Sequence, residues 1–150
     1  MRKFMSGVAF AAALALCGGS AMAAEQLITG KILIIKTGKL AKVLSKGTFT
    51  LPTGADDPTT AGGSLLIEDD TQSNTYGLPA AGWKGLGNPA GSKGFKYKGA
   101  GTPADPCKVV LVKANIVKAV CKGTGVTITT PVTGAVATNL STGTGTSFGT

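Results

Sequence analysis

Few side chains in this sequence have chemistry to offer. Seven carboxylates stand at Glu25, Asp56, Asp57, Glu68, Asp69, Asp70 and Asp105, and the chain contains no histidine. Without imidazole, no side chain has an ordinary pKa suited to general base work near neutral pH. The one arginine is Arg2, so no guanidinium further on can clamp a phosphate or carboxylate with two parallel hydrogen bonds. A serine nucleophile would need a lysine partner, and Ser45-Lys46 and Ser92-Lys93 are merely adjacent in sequence. A glycosidase needs two carboxylates facing one bond. Here five of the seven acids fall in two clusters, Asp56-Asp57 and Glu68-Asp69-Asp70, which suits that role poorly. The expectation is a protein that is not an enzyme and has no catalytic residues.

The same clusters lie near glycine-rich stretches and are the candidates for a hard cation such as calcium. Neither follows the D-x-[DN]-x-[DN]-G order of a calcium loop. Aspartates before Pro58, or at the end of a strand, more often bond their own backbone in a turn. No metal site and no cofactor is expected.

The remaining reactive groups are cationic, aromatic or thiol. Lys84, Lys93, Lys96 and Lys98 crowd around Trp83, Phe95 and Tyr97, and these seven are the candidate ligand-binding residues. A strand over Phe95-Lys96-Tyr97-Lys98 puts both rings on one face and both ammonium groups on the other. The rings would serve a sugar if exposed and the core if buried. Lysines without arginine suit an anionic polysaccharide, another anionic envelope component or an acidic partner. They also keep a charge-poor β surface soluble and discourage edge pairing. Lys93-Gly94-Phe95-Lys96-Tyr97 departs from an RNA-recognition motif at Lys96, where a small residue belongs, and no nucleic-acid partner is expected.

Cys107 and Cys121 are expected to form a disulfide across a hairpin. If they face each other in a regular antiparallel register, Val109 faces Ala119 and Leu111 faces Val117. Lys113-Ala114-Asn115 then closes a three-residue loop. Cys107, Val109, Leu111, Val117, Ala119 and Cys121 share one apolar face in that register.

The elements that must position these groups are short strands. Ile32–Ile35 is a continuous apolar run and reads as a buried strand. Strands are also predicted over Leu40–Leu51, Ser64–Glu68, Thr75–Leu78, Phe95–Lys98, Cys107–Lys122 as a hairpin, Val126–Thr130 and Gly134–Leu140. Ser141–Thr150 alternates weakly and would make an edge strand closing on Phe148. Loops are predicted over Pro52–Gly63, Pro79–Gly94 and Gly99–Pro106, the second of them ordered by Trp83. No segment after residue 24 carries a convincing helical stripe. About nine short strands with regular turn signals predict an all-β fold, an antiparallel β-sandwich in one domain.

The first residues read as an address. Arg2 and Lys3 precede the apolar run Val8–Cys17, and Ala21-Met22-Ala23 fits an A-x-A cleavage site. Residues 1–23 are therefore expected to be a signal peptide, removed on export, with 24–150 as the mature domain. Leu14-Ala15-Leu16-Cys17 is close to a lipobox, but Leu16 is not the small residue that lipid attachment at Cys17 wants. No later apolar run reaches the length of a membrane-spanning helix. The 15 Lys plus Arg give +8 against seven acids; the leader removes two, so the mature chain keeps thirteen lysines and +6.

Three stretches together resemble a secreted domain of Gram-negative environmental bacteria. They are Gly82–Lys98 (GWKGLGNPAGSKGFKYK), Cys107–Lys113 (CKVVLVK) and Lys118–Gly123 (KAVCKG). Thr29–Ile34 and Asp56–Thr59 resemble the same pattern upstream. The family is uncharacterised, so the resemblance implies an extracellular β-rich domain and no activity. The leading expectation is a non-catalytic secreted or periplasmic β domain, structural or adhesive. The alternative is a carbohydrate- or envelope-binding module using Trp83, Tyr97 and the nearby lysines.

Overall fold

A computed structural model describes residues 24–150. The leader expected at 1–23 lies outside the described residues. Eleven strands follow in order: β1 Ala24–Leu27, β2 Thr29–Lys36, β3 Leu40–Lys46, β4 Gly63–Glu68, β5 Ser73–Leu78, β6 Trp83–Gly85, β7 Phe95–Lys98, β8 Cys107–Lys113, β9 Ile116–Lys122, β10 Ala137–Thr142 and β11 Thr146–Gly149. They form two sheets, β1-β11-β10-β4-β5 and β2-β3-β9-β8-β7-β6. All neighbouring strands are antiparallel except β1, which runs parallel to β11. The fold is the expected all-β sandwich, with β1 and β6 among the strands beyond the nine.

The sandwich forms because most strands alternate. In β3 the buried positions are Ala41, Val43 and Ser45; in β9 they are Val117, Ala119 and Cys121. The five-stranded sheet answers with Leu65, Ile67, Tyr76, Leu78, Leu140 and Phe148, all in one core with the first set. A strand buries every second side chain, so each sheet has one apolar face, and the two faces close on each other.

Five expectations are corrected. First, the Ile32–Ile35 run is not buried. It belongs to β2, an outer strand paired only with β3, and Ile32, Leu33 and Ile34 are exposed. A continuous apolar run fits a strand covered on both faces, but it cannot say whether a cover exists.

Second, the hairpin has a different register. Cys107 does face Cys121, but a bulge at Lys108 follows, and then Val109 faces Val120, Val110 faces Ala119 and Val112 faces Val117. The inward pair is Val110 and Val112, not Val109 and Leu111, and Ala114-Asn115 makes a two-residue turn. The extra residue restarts the alternation. Val109–Val112 is apolar at all four positions, so pattern alone does not choose between the two faces.

Third, Val126–Thr130 is not a strand. Val126 and Ile128 do point into the core, but Gln72 takes the backbone at Thr129 and Thr37 takes the Ile128 carbonyl. Fourth, Ser141–Thr150 is not a sheet edge: β11 lies between β10 and β1. Fifth, the strand read over Leu40–Leu51 ends at Lys46. The Gly47 and Phe49 N–H groups donate instead to the Asn115 and Ala114 carbonyls of the hairpin turn.

The loop at Pro52–Gly63 contains one helical turn, α1 Pro58–Ala61. Asp57 caps it by accepting from the Thr59 N–H at 2.8 Å.

Candidate functional site

The three aromatic candidates are structural. Trp83 is 6% exposed, Phe95 2% and Tyr97 1%, so none offers a ring face to a ligand. Trp83 starts β6 and sits opposite Tyr97 on β7, with ring centroids 5.4 Å apart. Its Nε1–H donates to the Leu78 carbonyl at 3.1 Å, which ties β6 back to the end of β5. The predicted loop Pro79–Gly94 thus contains a short strand, β6, whose Trp83 reaches back to β5. Two glycines make the approach possible. A Cβ on Gly82 would overlap the Tyr97 ring, and Gly94 (φ +107°) would drive a Cβ into the Val112 carbonyl.

Tyr97 is fixed at its far end as well. Its hydroxyl donates to Asp105 at 2.9 Å, and the second Asp105 oxygen accepts from the Ala100 N–H at 2.7 Å. Burial, reinforced by the bond to Asp105 and by its charge, pushes the Tyr97 hydroxyl up to about 12. Cys107 and Cys121 are joined in the same wall, the disulfide expected across this hairpin.

The lysine half of the candidate set is different. Lys84, Lys93, Lys96 and Lys98 are all exposed. Lys84 faces Lys96 directly across β6 and β7, and the pattern extends far beyond these four. The outer face of the six-stranded sheet can be followed through its register. One row runs Ile32, Leu44, Lys118, Leu111, Lys96, Lys84; the next runs Ile34, Lys42, Val120, Val109, Lys98. Lys36, Lys46, Lys113 and Lys122 complete it at the strand ends. Lysine and aliphatic side chains intermix over this one face.

The segregation is complete in one direction. All thirteen lysines of residues 24–150 lie on the six-stranded sheet or the connections between its strands. The five strands of the other sheet carry none, and they hold Glu25 and Glu68, with Asp69 and Asp70 in the turn between β4 and β5. Asp56 receives the Thr146 hydroxyl of β11 at 2.7 Å. Only Asp105 sits among the basic strands, and Tyr97 and Ala100 engage both of its oxygens. Sequence reading singled out the four lysines beside Trp83 and missed Lys42, Lys46, Lys113, Lys118 and Lys122. The signal was present: each of these stands one residue from a buried position in a strand of period two.

The acidic clusters do turn chemistry. Asp69 accepts from the Thr71 and Gln72 N–H groups, the Thr71 hydroxyl, the Gln72 side-chain amide and the Thr133 N–H, all within 3.0 Å. The Gln72 amide bond, then the Thr71 N–H, hold its carboxyl well below the usual carboxylate range. Gln72 then grips Thr129 through both its amide atoms, so this turn latches the 129–133 segment. Among the described residues no group of three potential metal ligands comes together.

A cleft of about 360 Å³ opens under β2. Ile28, Leu33, Val43 and Val136 line it, with Lys31 among them. Ser45 Oγ is buried there without a hydrogen-bond partner. Among the described residues, no helix is long and apolar enough to cross a membrane. Comparison with protein-family models, with curated proteins and with solved structures finds no match for this chain.

Proposed function

We propose that this protein is an exported, non-catalytic β domain with a structural or adhesive role, held to negatively charged cell-envelope material by its lysine-bearing sheet. The observation that carries the reading is the segregation of charge: thirteen lysines on one half of the sandwich, and one acid there whose oxygens are already engaged. A surface built only for solubility mixes signs, because like charges opposed across strands are destabilising. This one opposes Lys84 to Lys96. A single-signed face raises the local concentration of an oppositely charged partner. The disulfide and the expected leader support an extracytoplasmic setting. The buried rings turn the reading away from an aromatic sugar platform and towards charge.

Binding to immobilised dextran sulfate, followed as salt is raised, tests it. Reversing Lys96 and Lys118 to Glu, in the middle of the face, should weaken binding roughly tenfold or more at low salt. Reversing Lys39 and Lys93, which lie in connections, changes net charge equally and should do much less. Equal losses would mean that net charge, and not this face, is what binds.

A further inference from the structure

The basic sheet has an apolar border on one side only. Five large apolar side chains are exposed among the described residues, and three of them are consecutive on β2: Ile32 at 40%, Leu33 at 39% and Ile34 at 37%. Leu27 is apart from these, beside Glu25 and Glu68 on the acidic side. Lys31 and Lys36 bracket the triplet in sequence. Across to β3, Ile34 faces Lys42 and Ile32 faces Leu44. Under the strand, Leu33 leads into the cleft shared with Ile28, Val43 and Val136. Ile32 and Ile34 thus continue the cationic face to its border, while Leu33 turns to the other side of β2.

A soluble polyanion has a use for the lysines and none for the triplet. An edge strand exposing three consecutive aliphatic side chains is a liability that proteins ordinarily cover or charge. A lipid surface uses both: ammonium groups meet the anionic headgroups while aliphatic side chains enter the acyl boundary. Lysine stems are long enough to lie over apolar neighbours with the charge at the headgroup level. A second copy of this chain is a poor occupant, because it would bring a second lysine face to the same border.

We infer that the envelope material is a bilayer surface of anionic lipid, engaged by the outer face of the six-stranded sheet, with Ile32 and Ile34 of β2 entering the acyl boundary at its border and the lysine rows resting on the headgroups. This rests on the charge reading above and gives it a ligand class. The probes are vesicles of phosphatidylglycerol mixed with phosphatidylcholine, vesicles of phosphatidylcholine alone, and dextran sulfate. The mature chain should cosediment strongly with the first and, through the apolar border alone, weakly with the second.

The double variant Ile32→Thr, Ile34→Thr keeps β-branched residues on the strand. It should lose at least tenfold in vesicle partition while dextran sulfate binding stays at the parent level. A measurement on the parent alone gives the same answer if the variant does not fold. In about 1 M salt, where screening shortens the reach of charge to about 3 Å, dextran sulfate binding should vanish while vesicle binding persists. Binding to dextran sulfate without partition into either vesicle overturns the lipid inference and leaves the charge reading standing. Vesicle binding that salt abolishes, or that the double variant retains in full, overturns the insertion of β2. Binding to none of the three overturns both.

Discussion

Trp83→Ala is the most searching test of how this fold is held together. The indole is almost wholly buried, lies against Tyr97 and donates to the Leu78 carbonyl. Strand β6 has only three residues and one neighbouring strand, so its own ladder is slight. Removing a buried Trp or Phe side chain typically destabilises by about 3–5 kcal/mol. The Leu78 carbonyl would lose the indole N–H as its partner, which pushes the loss towards the upper end. At roughly 4 °C per kcal/mol for a domain of this size, the melting temperature should fall by about 12–20 °C. Trp83→Phe keeps a ring against Tyr97 and loses the hydrogen bond, so about 1–2 kcal/mol, or roughly 4–8 °C, is expected. Far-UV circular dichroism on heating measures all three proteins without relying on the indole. The parent's own Trp fluorescence should melt together with its circular dichroism. If Trp83→Ala melts within about 2 °C of the parent, near 0.5 kcal/mol on the same scale, the ring is not a keystone. If fluorescence in the parent changes well before circular dichroism, β6 opens alone and the segment is a local flap.

The other expectations are independent of that ring. Replacing Cys107 and Cys121 by Ala opens a loop with a sequence separation of 14 and should lower stability by about 3 kcal/mol in urea unfolding, and a loss below about 1 kcal/mol would show that the sheet alone holds the hairpin. Asp69 is held below the usual carboxylate range, so its contribution is present above about pH 4 and is lost as pH falls through its lower native value. Asp69→Asn should flatten the fall in urea midpoint on that acid limb, and parallel curves for the two proteins would refute it. Tyr97, pushed up to about 12, should give no tyrosinate absorbance at pH 10. Its contribution to stability is full below about 10, the ordinary value, and is lost as pH rises through 12.

The parts of the fold legible in sequence were those decided by a single strand's pattern. Phe95-Lys96-Tyr97-Lys98 alternates ring and ammonium, and β7 buries the rings and exposes the lysines. Cys107 and Cys121 needed only an oxidising compartment and a turn between them. What stayed hidden depended on a partner. Ile32–Ile35 looks the same whether or not a second layer covers it, so its exposure was beyond reach. The bulge at Lys108 was masked by four apolar residues in succession. Val126 and Ile128 alternate as a strand should, yet Gln72, more than fifty residues away, takes the Thr129 backbone. The candidate site followed the same rule. The lysines beside Trp83 were visible as a cluster, whereas Lys42, Lys118 and Lys96 become one surface only when β3, β9, β8 and β7 are laid side by side.

That surface should be in conflict with the stability of its own sheet, and one substitution can expose the conflict. Lys96 lies on β7 with Lys84 directly opposite on one side and Leu111 on the other, while Lys98 is two residues along on the same face. Its nearest charges are therefore all positive. Directly opposed like charges destabilise a strand pair, and an opposed pair of unlike charges contributes roughly 0.2–1 kcal/mol. Lys96→Glu converts the first arrangement into the second. The expected gain is about 0.5–1 kcal/mol, discounted for exposure, which is roughly 2–4 °C in melting temperature. The gain should shrink as salt is raised, because both terms are screened. The same substitution should weaken binding to anionic vesicles and to dextran sulfate, since it places a negative charge in the middle of the basic rows. More stability with less binding is the signature of a face kept for a partner. A variant that is less stable than the parent at low salt, or that binds as well, would show that the lysines are neutral to both and that their segregation has another cause.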